Sequence, residues 1–366
     1  MKNKKIIFLL TNRKHSGVLK RVESFIDTNY EIEIYGFDRG FGKDVRSLKG
    51  IPVNDLGIVE NGKSYFSKII NAHSIFKNIF KENSKNTIYY VFSFDFAFIC
   101  LLNRKKYVYE IRDLVYGYFS SNFIVNIFKF FDKILIHFSL LTVVLSEGFV
   151  DFLYKTNSNS NLIVQPNKLH YFFKDKSRAR PNFDSKTKIT FGFIGIFRFP
   201  NTILRFARIV GENFPNYEFL FFGDGDPSQK DKIVDIANKY KNISYKGSFK
   251  NPHDLKDIYK EIDVSLSCYD NDFINVRYAE PNKLYESIYF FVPIIASENT
   301  FLGQKVSKSK VGFVINSSSD KEIMYFINEL TFCKINQIKR NMIKYLPDDM
   351  IDDRAFAIKE CISNNG

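Results

Sequence analysis

Short apolar strand signals alternate with amphipathic helix signals along nearly the whole chain, and this alternation limits the fold more than any other feature. The first run opens with Lys5–Leu10, a buried-strand pattern, followed by helical spacing over Gly17–Ile26. Strands are expected at Glu31–Tyr35 and near Ile51–Val53. Phe66 to Phe80 reads as an amphipathic helix, with Phe66, Ile69, Ile70, His73 and Phe76 along one face. Thr87–Phe92 is a strand, Phe94–Leu102 a helix, Lys106–Ile111 a strand, about Asn122–Phe138 a longer helix, and Leu141–Leu145 a strand. Asn161–Val164 closes the run. The second run places strands at Ile189–Ile196, Phe219–Phe222, Ile243–Tyr245, Val264–Cys268, Pro293–Ala296 and Gly312–Ile315. Helices fall at Thr202–Val210, about Ser228–Tyr240, His253–Glu261, Lys283–Phe290, 320–330 and 335–345.

Strands alternating with helices of this length imply parallel sheets covered on both faces. Right-handed crossovers make each run a doubly wound, Rossmann-like domain. The expected class is therefore α/β with two such domains facing a central cleft. Residues 171–187 are polar and charged and carry Pro181, so they read as an interdomain linker. The expected division is a first domain over 1–170, the linker over 171–187, a second domain over 188–345, and a helical tail over 346–366 packing back on the first domain. Ligands of open α/β sheets bind at the carboxyl ends of the strands, which places a substrate between the two edges.

The 366 residues are 45% hydrophobic and 25% charged, which excludes a disordered chain, a collagen-like fibre and a disulfide-stapled miniprotein. Lysine and arginine exceed the acids by 53 − 40 = +13, so an anionic partner is expected. The four cysteines, Cys100, Cys268, Cys333 and Cys361, are far apart and have no histidine at ligand spacing. They read as reduced thiols of a cytoplasmic protein, and no metal site is expected. The apolar run Ile6–Leu10 is too short for a secretory signal and is cut off by Asn12, Arg13 and Lys14. Asn122–Ser146 contains Lys129, Asp132 and Lys133, which excludes a spanning helix.

The densest chemistry lies in Arg277-Tyr278-Ala279-Glu280-Pro281-Asn282-Lys283-Leu284-Tyr285-Glu286-Ser287. Pro281 suits the first turn of a helix, where free N–H groups and the positive dipole end form an anion site. Lys283 adds a full charge there, and Asn282, Lys283 and Glu286 share a face. A phosphate at the helix tip and a ribose diol on the Glu286 carboxylate would suit a nucleoside diphosphate. A plain capped helix has the same residues.

These residues and others in the same order resemble the GT-B glycosyltransferases, particularly those of the family 4 type. Glu280-Pro281-Asn282-Lys283-Leu284-Tyr285-Glu286 followed by Val292-Pro293-Ile294-Ile295-Ala296-Ser297 is similar to their proline-asparagine-lysine signature and the strand after it. Phe193-Ile194-Gly195-Ile196-Phe197-Arg198 resembles the first strand and basic loop of the nucleotide domain. Phe222-Gly223-Asp224-Gly225-Asp226 resembles its "G-D-G" strand end. Ile163-Val164-Gln165-Pro166-Asn167, Val144-Leu145-Ser146-Glu147-Gly148-Phe149 and Tyr109-Glu110-Ile111-Arg112-Asp113 resemble segments of the first domain. Retaining members often have two glutamates seven residues apart. With Glu286 as the second, the first would fall on Tyr278, and Glu280 is out of register.

The resemblance implies a hexosyltransferase-type enzyme of surface or capsular polysaccharide biosynthesis, with an acceptor-side first domain and a nucleotide-sugar-binding second domain. The donor is a nucleoside-diphosphate-sugar, used as substrate, with no cofactor and no metal, and the outcome is retention. Arg198 and Lys283 would neutralise charge growing on the diphosphate. Gly195, Gly223, Asp224, Glu280, Asn282, Leu284 and Glu286 complete the expected donor contacts. On the first domain, Asp95, Arg112, Asp113 and Glu147 follow expected strands. Asp95 and Asp113 are the catalytic candidates, as acid/base groups or acceptor contacts, with helix caps or surface ion pairs as the plain alternative. Asp224-Gly225-Asp226 and Asp270-Asn271-Asp272 match a metal–diphosphate triplet but read as turns.

The acceptor is expected to be a glycan or a polyprenyl-diphosphate-linked sugar. Lys2, Lys4, Lys5, Arg13, Lys14, Lys20 and Arg21 load the first residues, and the helix near 122–138 mixes Phe and Ile with Lys129 and Lys133. Such a face either rests on an anionic membrane, on the inner side of the cell membrane, or is a core helix with solvated lysines. No nucleic-acid module is present. A sugar-nucleotide epimerase of the same architecture and a non-catalytic GT-B binding partner are the competing readings.

Overall fold

The computed structural model describes residues 4–26, 28–40, 45–59, 65–83, 86–154, 161–184, 186–198 and 200–365. Lys2 and the Phe66 side chain lie outside the described residues. The chain divides into two compact units, one of Met1–Pro166 with Asp353–Gly366 and one of Asn167–Asp352.

The first unit holds an eight-stranded sheet of β1 (Lys5–Leu10), β2 (Glu31–Asp38), β3 (Ser47–Leu48), β4 (Ile51–Ile58), β5 (Ile88–Val91), β6 (Tyr107–Ile111), β7 (Leu141–Val144) and β8 (Leu162–Val164). Their order is β3-β4-β2-β1-β5-β6-β7-β8. All neighbours are parallel except β3 and β4, an antiparallel edge pair that the alternation pattern does not contain. β1, β5, β6 and β7 are mostly apolar runs because both faces of a parallel sheet are covered, with Glu110 of β6 the buried charged exception. One face packs Phe8 on Tyr90, rings 5.0 Å apart, with Phe25, Val108 and Val143. The carboxyl-terminal helix Phe356–Asn365 closes that core with Ile358 and Ile362.

The second unit holds a six-stranded, all-parallel sheet of β9 (Thr190–Ile196), β10 (Glu218–Asp224), β11 (Ile243–Tyr245), β12 (Val264–Ser267), β13 (Ile294–Ser297) and β14 (Gly312–Ile315). Their order is β11-β10-β9-β12-β13-β14. Alternate residues feed two cores. Phe191, Phe193, Phe219, Phe221 and Ile295 enter one, and Ile194, Leu220, Phe222, Ile294 and Ala296 enter the other. That is the period of two expected of strands buried on both sides.

The described residues of the expected linker, 171–184 and 186–187, belong to the second unit. Tyr171–Phe173 is a 3-10 turn, and Phe173 is buried in the second unit's core. Arg178 donates to the carbonyls of Ile288 and Tyr289 (2.9 Å to the latter) at the end of the helix Lys283–Phe290, and to Tyr345 O at 2.7 Å. Arg178 is thus bonded inside the unit, while Lys174, Asp175, Lys176, Ser177 and Arg180 are exposed. Pro347–Met350 likewise belongs to the second unit, where Met350 and Ile351 are core residues, so only the last part of the expected tail joins the first. The helices Glu147–Tyr154, Ile274–Tyr278 and Phe301–Ser309 add to the expected set.

Candidate functional site

In the second sheet the chain runs from β9 outward to β10 and β11, then returns to the other side of β9 as β12. The carboxyl ends of β9 and β12 therefore flank the topological switch point, where open α/β sheets leave a crevice. Gly195 lies at the end of β9, and Tyr269 lies two residues past the end of β12. The helix Lys283–Phe290 starts beside them.

The end of β9 can approach closely because two glycines meet there. Gly195 (φ +138°) pairs with Gly223 (φ +146°) of β10, both in backbone conformations that only glycine adopts comfortably. A Cβ on Gly223 would fall 1.8 Å from Gly195 O, and one on Gly195 would fall 3.3 Å from Lys283 Nζ. The ammonium donates to Tyr269 Oη and lies 4.2 Å from the Phe193 ring centroid and 4.9 Å from that of Tyr269. Lys283 is 5% exposed, and among the described residues no carboxylate pairs with it. Two ring faces supply about 0.5–2 kcal/mol each, whereas desolvating an ion costs several kcal/mol. The cation is thus buried with less compensation from the chain than an ion pair would give.

The helix tip contributes less than its sequence implies. The N–H groups of Leu284, Tyr285 and Glu286 are already bonded to the carbonyls of Pro281 and Asn282, and Asn282 rather than Pro281 is the capping position. The Asn282 side chain turns to Glu286 Oε1, while Tyr259 Oη donates to Oε2 at 2.9 Å. Burial, and then the charge of Glu286, holds the Tyr259 hydroxyl far above its ordinary pKa, so it stays a donor. Glu286 is thus a buried carboxylate in a fixed orientation, one turn from Lys283. Leu284 does not line the site with its side chain, which packs in the core with Tyr285 and Ile288. Glu280 is buried as an ion pair with Lys305, at 2.8 and 2.9 Å from its two oxygens, and accepts from Tyr285 Oη. Those contacts give it a structural role.

Arg198 is exposed on the loop after β9, where its N–H donates to Ile196 O. Asp224 is exposed, accepts from the Gly225 N–H at 3.0 Å and pairs with Lys230 at 3.4 Å. Asp226 caps the helix Pro227–Lys239, and Asp270 accepts from the Thr202 N–H at the start of the helix Asn201–Asn213. Both acidic triplets therefore serve turns and caps.

In the first sheet the switch point lies between β1 and β5. Asp95, in the first turn of the helix Phe94–Leu102 after β5, belongs to that edge, and burial pushes its carboxyl above the ordinary range against a hydrogen bond from Ser93. Asp113 is exposed after β6. Glu110 and Arg21 are additions to the expected site residues, and they join the expected candidate Arg112. The buried Glu110 carboxylate accepts from Arg21 Nε at 2.8 Å, Arg112 Nη1 at 2.6 Å and Tyr90 Oη at 2.6 Å. Burial raises this carboxyl, but the two guanidinium charges outweigh it and hold the group below its usual value. Tyr269, Tyr259 and Phe193 were not foreseen. The only available signal was that Tyr269 follows a strand end.

No family profile matches the sequence. No curated protein matches it. Solved structures do. Sucrose-phosphate synthase from Thermosynechococcus elongatus superposes with a TM-score of 0.73 at 11% identity, over 98% of each chain. HepE from Anabaena, in complex with UDP and glucose, gives 0.70 at 14% identity over 99% of this chain and 100% of its own. A glycosyltransferase from Rickettsia africae gives 0.64 at 13% identity over the whole of both chains. Two Rossmann-like parallel-sheet units in one polypeptide, matched over their full length to these enzymes, give this chain the GT-B fold.

Proposed function

We propose that this chain is a GT-B glycosyltransferase of the family 4 type. It moves a sugar from a nucleoside-diphosphate-sugar to a glycan or polyprenyl-diphosphate-linked acceptor in surface polysaccharide assembly. The observation that carries this reading is Lys283, a buried ammonium without a carboxylate partner among the described residues, at the switch point of the second sheet. The HepE structure, which holds UDP and glucose on the same fold, supports a nucleoside diphosphate as the missing anion.

In the proposed reaction the bond between the sugar's anomeric carbon and the diphosphate oxygen breaks, and the acceptor hydroxyl oxygen bonds to that carbon. Negative charge grows on the departing diphosphate. Lys283, with Arg198 from the loop after β9, meets that charge, so side-chain cations supply the electrostatic stabilisation. Glu286, oriented by Tyr259 and Asn282, is assigned to the ribose hydroxyls. Gly195 and Gly223 let the backbone approach the diphosphate. The acceptor hydroxyl's proton goes to the departing diphosphate. Retention follows if attack occurs on the face from which the diphosphate leaves.

A thermal-shift screen against UDP-, GDP-, ADP- and CMP-sugars tests this reading, since a ligand bound only to the folded state raises Tm. One donor class is expected to raise it, with the shift lost in Lys283→Ala. No shift with any donor, or an unchanged shift in Lys283→Ala, refutes the site. Binding without release of nucleoside diphosphate to any acceptor favours a binding partner over an enzyme, and anomeric analysis of product by NMR decides between retention and inversion.

A further inference from the structure

Tyr269, in the loop two residues past the end of β12, is fixed from three sides. Its ring meets the Phe193 ring edge-on, with centroids 6.0 Å apart, and packs against the core that contains Phe193 and Leu266. The residue before it, Cys268, is buried with its Sγ 3.6 Å from Ile295 O. The residue after it, Asp270, is tied to the helix Asn201–Asn213 by accepting from the Thr202 N–H at 3.0 Å. The phenol oxygen therefore has a set place beside the Lys283 ammonium, which donates to it. A ring anchored in this way has little freedom left to lose when a ligand meets it.

The bond from Lys283 leaves the phenol's own proton unused. A phenol has one O–H to donate and lone pairs with which to accept. The Tyr269 oxygen accepts from Lys283, and among the described residues none accepts from the Tyr269 O–H. Accepting from a cation polarises that O–H and strengthens it as a donor. The neighbouring backbone donors are already taken, since the N–H groups of Leu284, Tyr285 and Glu286 are bonded to the carbonyls of Pro281 and Asn282. An anion seated at Lys283 thus meets two side-chain donors side by side, an ammonium and a polarised phenol. Hydrogen bonds from such donors to a charged phosphate oxygen are about twice as strong as those between neutral groups. A phenol that merely satisfied the ammonium would do the opposite, competing with the anion for Lys283. The two roles give effects of opposite sign when the hydroxyl is removed.

We infer that Tyr269 is a second hydrogen-bond donor to the diphosphate of the sugar donor, acting as a pair with Lys283. The inference rests on the donor-site reading and adds a residue to it. Inorganic pyrophosphate, UDP, GDP and ADP are titrated into the full chain by calorimetry, so the test depends on neither the nucleobase nor the sugar. The wild type is expected to bind pyrophosphate and at least one of the nucleotides, and Lys283→Ala to lose both. Tyr269→Phe keeps the ring and removes only the hydroxyl, and it is expected to weaken each of these complexes about tenfold. Unchanged or tighter binding by Tyr269→Phe, with binding lost in Lys283→Ala, overturns the inference and leaves the donor site standing. No binding of any of the four by the wild type overturns both. A displaced Lys283 would weaken binding too, so 3-fluorotyrosine is introduced in place of Tyr269 as the second variant. It keeps the oxygen that accepts from Lys283 and makes the O–H a stronger donor. In mildly acidic buffer it is expected to bind pyrophosphate several-fold more tightly than the wild type. Equal or weaker binding would mean that the phenol only holds the lysine, and it overturns the inference whether or not Tyr269→Phe folds.

Discussion

Lys283 places its ammonium 3.3 Å from the point where a Cβ on Gly195 would sit, so the head of the helix Lys283–Phe290 fills the space that a side chain at the end of β9 would take. Gly195→Ala therefore does two things at once. It forces a side chain onto a backbone at φ +138°, a cost of about 1–3 kcal/mol, and it pushes the ammonium off its seat on Phe193. The expected result is a lower Tm together with loss of donor-induced stabilisation. A variant that keeps the full donor shift would show that β9 does not support the site.

Lys283→Met should separate binding from folding. The ammonium is buried without a carboxylate among the described residues, so a methionine of similar length removes a desolvation cost and keeps the packing. The ligand-free variant is expected to be as stable as the wild type or more so, by up to about 2 kcal/mol, and to give no shift with the donor. A large loss of stability in urea melts would mean that the charge is satisfied within the protein.

Glu286→Gln is the milder probe of the ribose assignment, since alanine would leave the buried Tyr259 hydroxyl without its 2.9 Å acceptor. The amide keeps one acceptor oxygen but loses the charge. The expected outcome is a donor Kd weakened about tenfold, or roughly 1.4 kcal/mol, with little change in Tm, measured by calorimetry. An unchanged Kd would move the ribose elsewhere.

The strands and the helix Lys283–Phe290 were legible because buried parallel strands leave apolar runs, and a helix start leaves Pro281, Asn282 and Lys283 in a row. Three things were not. Residues 171–187 look like a linker because polarity in sequence does not tell a solvated side chain from one bonded to buried carbonyls, as Arg178 is. The helix Phe301–Ser309 is too polar for periodicity to mark it. The rotation of Asn122–Phe138 cannot be read from a helix that is apolar on two sides. It depends on Tyr109 and Tyr116, which are distant in sequence from most of that helix. For the site, Tyr259 and Tyr269 carry no motif. They become visible only when β12 is seen beside β9.

Arg178 fastens two helix ends with one guanidinium. It reaches Ile288 O and Tyr289 O at the end of Lys283–Phe290, Met342 O at 3.4 Å at the end of Phe332–Met342, and stacks 3.6 Å from the Phe291 ring centroid. A cation there also complements two negative dipole ends. Arg178→Ala is expected to destabilise the second unit by about 2–4 kcal/mol, and Arg178→Lys to recover less than half, because a lysine cannot fork between carbonyls. Urea denaturation measures both. An alanine variant within about 0.5 kcal/mol of wild type would restore the linker reading.

Asp132 makes the first unit's stability fall with pH in a window where most carboxylates make it rise. Burial raises its carboxyl from 3.8 to about 6 despite the hydrogen bonds from Tyr116 and Tyr109. Between those two values the folded protein holds a proton that the unfolded chain has released, so stability declines as pH rises through the window and is level above it. The whole effect is about 3 kcal/mol. Asp132→Asn keeps the shape and cannot ionise. Relative to wild type it is expected to gain stability progressively from about pH 4 to pH 6, and then to keep that gain at pH 7.5. Other groups of the protein titrate identically in both chains, so the difference between their urea midpoints isolates this carboxyl. A difference that does not change with pH would mean that Asp132 is already ionised in the fold, and that its two tyrosines hold a charge and not a proton.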